Sequence, residues 1–411
     1  MTAAVLSIGT ELSRGELVNT NGPWIASQLV AIGFEVFEHA IVDDDRARIV
    51  AALERLARTA SIVVCTGGLG PTTDDLTTEA VATALSVSLK RDEASLEHIR
   101  RRFEKLGRTM SESNAKQADF PEGAEVLPNP IGTAPGFTVR VGRATAFFMP
   151  GVPREMTRMF EEQVTPRIRK LAPNDTHQIR LKTFGLPESV VGEKLAGIEA
   201  AHDGVVIGYR AHFPEIEVKV LAKAASQASA RDLCESATAE VRARLGDIIY
   251  GEGDDTFASV VGRVLRNKGL SLAIAESCTG GLVGSMLTRE PGASDFLLLD
   301  AVTYANSAKS RVLGVDEDVL RAHGAVSAEV AAAMAEGARR ASGSDVALSL
   351  TGVAGPTGGT DAKPVGTVYL AVTGARGTEV KHRLFPGERS QIQTIAAYAG
   401  LQLVRNYAQQ G

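Results

Sequence analysis

The sequence predicts an α/β fold, with two larger α/β domains joined by a small α+β spacer. Three short, continuously apolar strands, at residues 3–9, 61–65 and 272–275, each run into polar residues that precede a predicted helix. The chain has 41 glycines among 411 residues, which suits the tight turns of such units, and its length exceeds that of one ordinary core. A hydrophobic content of 44% and a charged content of 23% are those of a globular protein.

The charge balance and the cysteines exclude several classes of protein. A net charge of −5 and a pI near 5.9 argue against a broad nucleic-acid surface. Cys65, Cys234 and Cys278 are too widely spaced for a disulfide framework or a Cys-type zinc site. No apolar run reaches the roughly 18 residues of a membrane span, and the N-terminus lacks the basic region of a signal peptide. We therefore expect a cytoplasmic protein without membrane or nucleic-acid partners, and a homodimer as the default assembly.

The N-terminal region alternates strands and helices. A helix at residues 23–31 follows the first strand, and a second strand at residues 34–42 leads to three aspartates, at 43–45, that precede another helix. Acidic residues are favourable at a helix N-terminus, so capping is preferred over metal binding for this run. Residues 91–120 are predicted to be helical and highly charged, with a solvated face.

A Gly-rich loop, TGGLGPTTDD at residues 66–75, joins the third strand to the next helix. This arrangement cradles phosphate groups, because glycine lets the backbone approach a ligand and a helix N-terminus favours anions. The paired carboxylates of Asp74 and Asp75 suit a hard divalent cation that also binds phosphate and water. Asn21 and Glu155 are lesser candidates for this site, since each is explained equally well as a cap or a surface residue.

A boundary near residues 172–176 starts the predicted spacer. Strands at 178–184, 205–212 and 215–222 accompany a helix at 188–199 and a second helix that runs to Leu245. The spacer lacks a GxxG loop of the kind that grips nucleotides, so we expect no RNA binding. Nothing in the spacing of its histidines demands a metal, and we interpret them as isolated surface residues: His177, His202 and His212.

The C-terminal region contains the highest density of candidate catalytic residues. A strand at residues 272–275 runs into the polar turn 276–281, and a helix opens near Leu282. Ser277 lies in this turn, where a hydroxyl can attack while nearby amides hold the negative charge that develops. Cys278 is the alternative nucleophile, since a thiol beside a helix N-terminus is activated. Adjacent residues of a turn point differently, so only one of the two can face a ligand.

Two candidate bases follow a second strand, at residues 296–304. Tyr304 supplies a phenol and Lys309 an amine, and either group can take the proton of Ser277. Burial lowers the pKa of a lysine and makes its amine a better base.

The remaining elements complete an α/β domain. They are a helix at 328–341, strands at 346–350 and 366–372, and a final helix from about residue 389. The long Gly-rich loop at 351–363 is fit to wrap a phosphate or a ribose.

Ordered motifs over the whole chain resemble the CinA (competence/damage-inducible protein A) family. The C-terminal motifs are ESCTGG, VTYANSAK, HGAVS, TGVAGPTGG, KPVGTVY and FPGER, between residues 276 and 389. The N-terminal ones are IGTELSRGELVNTN, TGGLGPTTDDLTTEA, IGTAPGF and MPGVPREM, between residues 8 and 156. The resemblance implies three parts: a molybdopterin-binding-like three-layer α/β/α domain at 1–172, a KH-like spacer at 173–252, and an α/β amidohydrolase domain at 253–411.

The resemblance implies that the C-terminal domain hydrolyses nicotinamide mononucleotide to nicotinate mononucleotide and ammonia, without a cofactor. It favours Ser277 over Cys278 as nucleophile, with Tyr304 and Lys309 as the base system. Thr351 is expected beside the nicotinamide and Arg389 at the phosphate, where a guanidinium binds two oxygens at once. The full set of substrate-binding residues that it implies is Glu276, Thr279, Gly280, Gly281, Thr351, Gly352 and Arg389.

For the N-terminal domain, the resemblance implies metal-dependent hydrolysis of ADP-ribose. Asp74 and Asp75 would bind a divalent metal such as Mg²⁺, with potassium as a further cation. The diphosphate would contact Gly67, Gly68, Gly70 and Thr73. Three alternatives stay open for this domain and chain: molybdenum-cofactor chemistry, a regulatory role in competence or DNA damage, and a module that only binds or assembles. The sequence after the glycines departs from that of the molybdopterin adenylyltransferases, which disfavours the first.

Overall fold

The computed structural model describes residues 1–172 and 174–410, which form two compact units. One unit comprises residues 1–178 and 221–233, and the other comprises residues 179–220 and those from 234 onward. Pro173 and Gly411, the predicted first residue of the spacer and last residue of the C-terminal domain, lie outside the described residues. The three predicted domain ranges, 1–172, 173–252 and 253–411, remain predictions. Among the described helices, none is both long and apolar enough to cross a membrane.

The first unit contains a six-stranded sheet in the order β2-β1-β3-β8-β7-β6 and a separate β4-β5 ribbon. Its strands are β1 (Thr2–Ile8), β2 (Glu35–Val42), β3 (Ile62–Thr66), β4 (Leu89–Arg91), β5 (Asp119–Pro121), β6 (Glu125–Leu127), β7 (Gly136–Val141) and β8 (Ala144–Met149). Its helices are α1 (Thr10–Ser13), α2 (Asn21–Ile32), α3 (Arg46–Thr59), α4 (Thr77–Leu85), α5 (Glu93–Lys105), α6 (Pro153–Met159) and α7 (Thr165–Arg169). A 3₁₀ helix occupies Glu112–Ala118 and a π-helical turn occupies Phe160–Val164.

The sheet of this unit is covered on both faces. Strands β2, β1, β3 and β8 run parallel, whereas β7 and β6 are antiparallel additions. Val63 and Cys65 of β3 pack in a core with α3, while Ile62 and Val64 pack in a second core with α2. Because successive strand residues point to opposite faces, this alternation produces the predicted three layers.

The spacer forms a four-stranded sheet in the order β10-β11-β9-β12. Its strands are β9 (Asp175–Phe184), β10 (Val205–His212), β11 (Glu215–Ala224) and β12 (Ile249–Glu252), and its helices are α8 (Glu188–Leu195), α9 (Ile198–Ala201) and α10 (Gln227–Leu245). A 3₁₀ turn at Gly246–Ile248 precedes β12. The single helix predicted at 188–199 is wrong, because Gly197 adopts φ 86° and separates α8 from α9.

The C-terminal part has a five-stranded sheet in the order β14-β13-β15-β16-β17. The strands are β13 (Leu272–Glu276), β14 (Leu297–Val302), β15 (Val346–Gly352), β16 (Thr367–Gly374) and β17 (Gly377–Leu384). The helices are α11 (Phe257–Lys268), α12 (Leu282–Thr288), α13 (Asn306–Leu313), α14 (Glu317–His323), α15 (Ala328–Ser342) and α16 (Arg389–Gln409), with a 3₁₀ turn at Ala293–Asp295. Ile274 packs in one core with α11 and α16, and Ala273 and Ala275 pack in the opposite core with α15.

Two further predictions differ from the structure. The charged helix predicted at 91–120 ends at Lys105, because Gly107 takes a left-handed conformation and residues 119–121 form β5. The strand predicted at 296–304 ends at Val302, so Tyr304 lies in the connection before α13. Among the aspartates at 43–45, only Asp45 caps α3 as predicted, by accepting from the Arg48 amide at 2.9 Å. Asp43 accepts from the Arg48 guanidinium, and Asp44 accepts from the amide and hydroxyl of Thr10.

Candidate active sites

A cleft of about 180 Å³ lies where the carboxyl ends of β13, β14 and β15 meet. These three strands are parallel, so the residues that follow each of them converge at one edge of the sheet. The cleft is lined by Ser277, Cys278, Tyr304, Asn306, Lys309, Ala325, Val326, Thr351, Gly352, Ala354 and Arg389.

Ser277 and Lys309 are in direct contact in this cleft. The Lys309 Nζ atom lies 2.9 Å from Ser277 Oγ and donates to the Thr303 carbonyl at 2.7 Å. Lys309 is 1% exposed and Ser277 is 8% exposed. Burial lowers the pKa of the Lys309 amine, because the charged form loses its hydration. A serine hydroxyl beside a weakly basic amine is the arrangement of an activated nucleophile.

Cys278 is chemically different from its neighbour. Its side chain is buried, and burial raises the pKa of the thiol to about 12. The thiolate is the nucleophilic form of cysteine, and at neutral pH this side chain is a thiol. The geometry and the protonation state therefore both favour Ser277.

The phenol of Tyr304 contacts an arginine and not the serine. Arg389 donates from Nη2 to the Tyr304 hydroxyl at 2.9 Å and from Nη1 to the Gly355 carbonyl at 2.6 Å. Tyr304 is 61% exposed. Of the two predicted bases, the structure brings only the Lys309 amine to Ser277. Thr351 is buried in the cleft wall and donates to the Ala325 carbonyl at 2.7 Å.

We expect Arg389→Met to raise the KM for a phosphorylated substrate at least tenfold while changing kcat little. The guanidinium is a fixed two-donor group at the cleft, and its two neutral partners leave its charge free for a phosphate. Steady-state kinetics on nicotinamide mononucleotide checks this. Tyr304→Phe is the matched control and should keep kcat within about threefold, because the phenol does not reach Ser277. A large drop in kcat for Tyr304→Phe would show that the phenol does take part in removing the proton of Ser277.

Several residues predicted to bind substrate do not line the cleft. Glu276 is fully buried, and its two carboxylate oxygens accept from the amides of Gly281 and Gly284, each at 2.9 Å. Both oxygens are thus engaged by backbone amides and Glu276 is not among the residues that line the cleft, so its contact with substrate stays a prediction. Thr279, Gly280 and Gly281 also lie outside the cleft lining and shape the turn, where the two glycines adopt φ 65° and 95°.

The first unit holds a larger cavity, of about 960 Å³, around its Gly-rich loop. Gly67 and Gly68 have positive φ, and a Cβ on Gly67 would lie 2.0 Å from the Ile8 carbonyl oxygen. Only glycine fits such a close backbone approach. The cavity is lined on this side by Thr66, Gly67, Gly68, Leu69, Gly70, Pro71, Thr72, Thr73, Asp74, Asp75 and Leu76.

The two predicted metal ligands differ in their present contacts. Asp75 Oδ2 accepts from the Thr72 amide at 2.9 Å and from the Thr72 hydroxyl at 2.6 Å, which braces the loop. Asp74 Oδ1 accepts only a long 3.3 Å hydrogen bond from Thr73. Over residues 1–172 and 174–410, no group of three or more His, Cys, Asp or Glu side chains converges as a metal centre.

The cavity wall is acidic. Six carboxylates line it against a single guanidinium, that of Arg14: Glu11, Glu16, Asp44, Asp74, Asp75 and Glu155. Asn21, one of the lesser candidates, is also in the wall: its Nδ2 donates to the Gly151 carbonyl at 2.7 Å, while its buried Oδ1 has no partner. Glu155 accepts from Asn129 Nδ2 at 2.7 Å.

Comparison with known proteins assigns the chain to a family. It is 46% identical over 407 residues to a CinA-like protein of Geobacter sulfurreducens, with 98% of each chain covered. A CinA-like protein of Anaeromyxobacter dehalogenans is 45% identical over 411 residues, covering 98% of this chain and 99% of that one. The chain belongs to the CinA family. A solved structure of CinA from Thermoplasma acidophilum, described as of unknown function, is 34% identical and covers 40% of this chain and 96% of its own, with a TM-score of 0.38.

Three family models match successive parts of this CinA-family chain. A probable molybdopterin binding domain matches residues 4–170, the KH domain of damage-inducible protein CinA matches 178–251, and the CinA C-terminal domain matches 254–408. The predicted fold classes of all three parts are thereby confirmed. The relatives are named only as CinA-like, so their names assign no reaction.

The sequence did not indicate one residue of the N-terminal site. Lys116 donates from Nζ to the Asp75 carbonyl at 2.6 Å and to the Thr72 carbonyl at 3.2 Å. It therefore holds the loop that carries the candidate metal ligands. Lys116 falls in the stretch predicted as a charged helix, and its partners lie 41 and 44 residues away, so no local pattern could have identified it.

Proposed function

We propose that the C-terminal domain of this CinA-family protein hydrolyses the carboxamide of nicotinamide mononucleotide to the acid, releasing ammonia. The observation that carries the proposal is the 2.9 Å contact between the Lys309 amine and the Ser277 hydroxyl in a buried cleft. The match of residues 254–408 to the CinA C-terminal domain supports it, because Ser277 and Lys309 lie in the motifs ESCTGG and VTYANSAK, which resemble that family.

The chemistry follows from these two side chains. Neutral Lys309 accepts the hydroxyl proton, and Ser277 Oγ bonds to the carboxamide carbon, whose oxygen takes up the negative charge. Lys309 then returns the proton to the nitrogen, the C–N bond breaks, and ammonia leaves. Water gives a proton to the same amine and attacks the ester carbon; Lys309 then returns this proton to Ser277 Oγ as the ester C–O bond breaks, and the acid product ionises to the carboxylate. Each step uses groups of this chain and water.

The N-terminal cavity supports a second activity, the hydrolysis of the diphosphate of ADP-ribose. The specific observation is a Gly-rich loop that opens into a cavity of about 960 Å³ with an acidic wall. Asp74 and Asp75 line the cavity and would hold a hard divalent cation, whose remaining coordination positions would be taken by the ligand diphosphate and water. Such a cation would neutralise charge on the phosphate oxygens.

The test is incubation of the full chain with nicotinamide mononucleotide and, separately, with ADP-ribose, with and without divalent metal. Release of ammonia and of nicotinate mononucleotide supports the first activity, and formation of AMP and ribose 5-phosphate supports the second. If neither substrate is consumed, both proposals fail. Binding of a pterin by the N-terminal domain would favour molybdenum-cofactor chemistry instead.

We expect a chelator to stop ADP-ribose cleavage and to leave ammonia release unchanged. Serine-based amide hydrolysis uses no cation, whereas a diphosphate entering a wall of six carboxylates requires one. Asp74→Asn should act like the chelator, because Asp74 belongs to a different domain from Ser277. Product analysis of both reactions in parallel is the measurement, with Asp232→Asn of the spacer helix as control. Loss of both activities on chelation would contradict the assignment of two independent sites.

A further inference from the structure

We propose that Glu276 is a positioning residue that directs the backbone amides beside Ser277 toward the developing oxyanion. The proposal rests on the proposed deamidase function and assigns Glu276 a role other than substrate contact. Glu276 ends β13, one residue before the nucleophile, and its side chain turns toward the start of α12.

Both carboxylate oxygens of Glu276 are engaged. Oε2 accepts from the Gly281 amide and Oε1 accepts from the Gly284 amide, each at 2.9 Å, in a fully buried position. Hydrogen bonds from amides to a carboxylate are charge-assisted and about twice as strong as those between neutral groups. The carboxylate therefore fixes both ends of the segment from the turn to the first residues of the helix.

The amides of the turn can be assigned one by one. The amide of Ser277 donates to Leu350 O at 3.0 Å, that of Gly280 to Ser277 O at 3.2 Å, and that of Leu282 to Thr279 O at 3.3 Å. Glu276 takes the amide of Gly281. Within this described turn, the amides of Cys278 and Thr279, the two residues directly after the nucleophile, donate to no oxygen and approach the Cys278 sulfur.

This distribution has a chemical meaning. Amides that follow a nucleophile in a strand–turn–helix junction are suited to stabilise a tetrahedral oxyanion, provided that they are free and fixed. Glu276 accepts from the amides at the start of the helix. The turn therefore does not have to rearrange to provide other acceptors for them. It does this from outside the cleft, which separates a positioning role from a substrate contact.

A second carboxylate packs against the start of α12. Asp300, on the neighbouring strand β14, packs against Gly284, where a Cβ would lie 1.9 Å from Asp300 Oδ2. Partial burial and the Glu276 charge raise the pKa of Asp300 to about 7. The two Glu276 oxygens accept from the amides of Gly281 and Gly284, and Asp300 lies beside the second of these residues.

The test compares Glu276→Gln with Glu290→Gln, the same chemical change at a half-buried residue just beyond the end of α12, whose carboxylate accepts from the Thr256 hydroxyl at 2.6 Å. A side-chain amide presents only one oxygen, so Gly281 or Gly284 loses its acceptor and the turn shifts. Three quantities are measured: kcat and KM on nicotinamide mononucleotide, and the rate at which Ser277 is labelled by a fluorophosphonate, whose P=O occupies the oxyanion position.

We expect Glu276→Gln to lower kcat and the labelling rate together by about 10- to 100-fold, with KM within about threefold of the unchanged chain. Glu290→Gln should match the unchanged chain in all three. Unaltered kcat and labelling would overturn the proposal, and a raised KM at constant kcat would make Glu276 a substrate contact. If Glu276→Gln does not fold, Glu276→Asp, which keeps the charge with a shorter reach, should show the same joint loss.

The labelling arm distinguishes failure of this inference from failure of the proposed function. If the unchanged chain labels at Ser277 but does not hydrolyse nicotinamide mononucleotide, the substrate is wrong, and the labelling rate of Glu276→Gln still decides the positioning role. If the unchanged chain does not label at Ser277, the nucleophile and the positioning role are both wrong.

Discussion

Ser277→Ala is expected to abolish ammonia release from nicotinamide mononucleotide, whereas Cys278→Ala should retain most of it. The serine hydroxyl lies 2.9 Å from a buried amine, while the neighbouring thiol has its pKa raised to about 12 and is not a thiolate at neutral pH. Removing a covalent nucleophile removes the acyl-enzyme route entirely. The measurement is ammonia release under saturating substrate, with thermal unfolding to show that both variants fold.

Two results with the same pair of variants would contradict the assignment of Ser277 as nucleophile. An active Ser277→Ala protein and an inactive Cys278→Ala protein would reverse the assignment and make the buried thiol the nucleophile. Retention of activity by both would show that hydrolysis proceeds by direct attack of water, without a covalent intermediate on either residue.

Lys309→Met should lower kcat by about 10²–10⁴, the usual contribution of a positioned general base. Methionine keeps much of the buried volume but supplies no amine to take the proton of Ser277. The KM should change little, because the amine contacts the nucleophile and the Thr303 carbonyl. A large rise in KM with kcat unchanged would make Lys309 a ligand contact instead.

The pH dependence carries an independent check on Lys309. Burial lowers the pKa of its amine below the ordinary lysine value of about 10.4. Since only the neutral amine accepts a proton, kcat/KM should rise with pH through this lowered pKa and then level off. The Lys309→Met variant should lack this rise of kcat/KM with pH. If the rise persists in the variant, it reports the titration of another group.

The positions of the nucleophile and its base could be predicted because each follows a recognisable strand. Ser277 follows β13 and Lys309 lies in the first turns of α13, just after β14, and parallel neighbours bring such positions to one edge. The phosphate-cradling geometry of the loop after β3 was predictable for a similar reason, since glycines between a strand and a helix signal close backbone approach.

The directions of side chains, and hydrogen-bond partners that are distant in the sequence, could not be predicted in this way. Tyr304 is two residues beyond its strand, and the direction of its phenol depends on Arg389, 85 residues later. The ESCTGG resemblance implied a substrate contact for Glu276, and nothing local indicated that its two oxygens accept from amides at the start of the next helix. The pairing of β7 with β8 and of β6 with β7 also went unrecognised, since these strands have only three to six residues.

The acidic wall of the N-terminal cavity has a thermodynamic consequence. Six carboxylates face one guanidinium there, so a diphosphate arriving alone adds negative charge to a wall that is already negative. A divalent cation arriving with it offsets both charges, and coupling of this kind is reciprocal. The factor by which the cation tightens nucleotide binding equals the factor by which the nucleotide tightens cation binding. If the proposed ADP-ribose hydrolysis is correct, the two ligands would therefore saturate the cavity together, at concentrations where neither would occupy it alone.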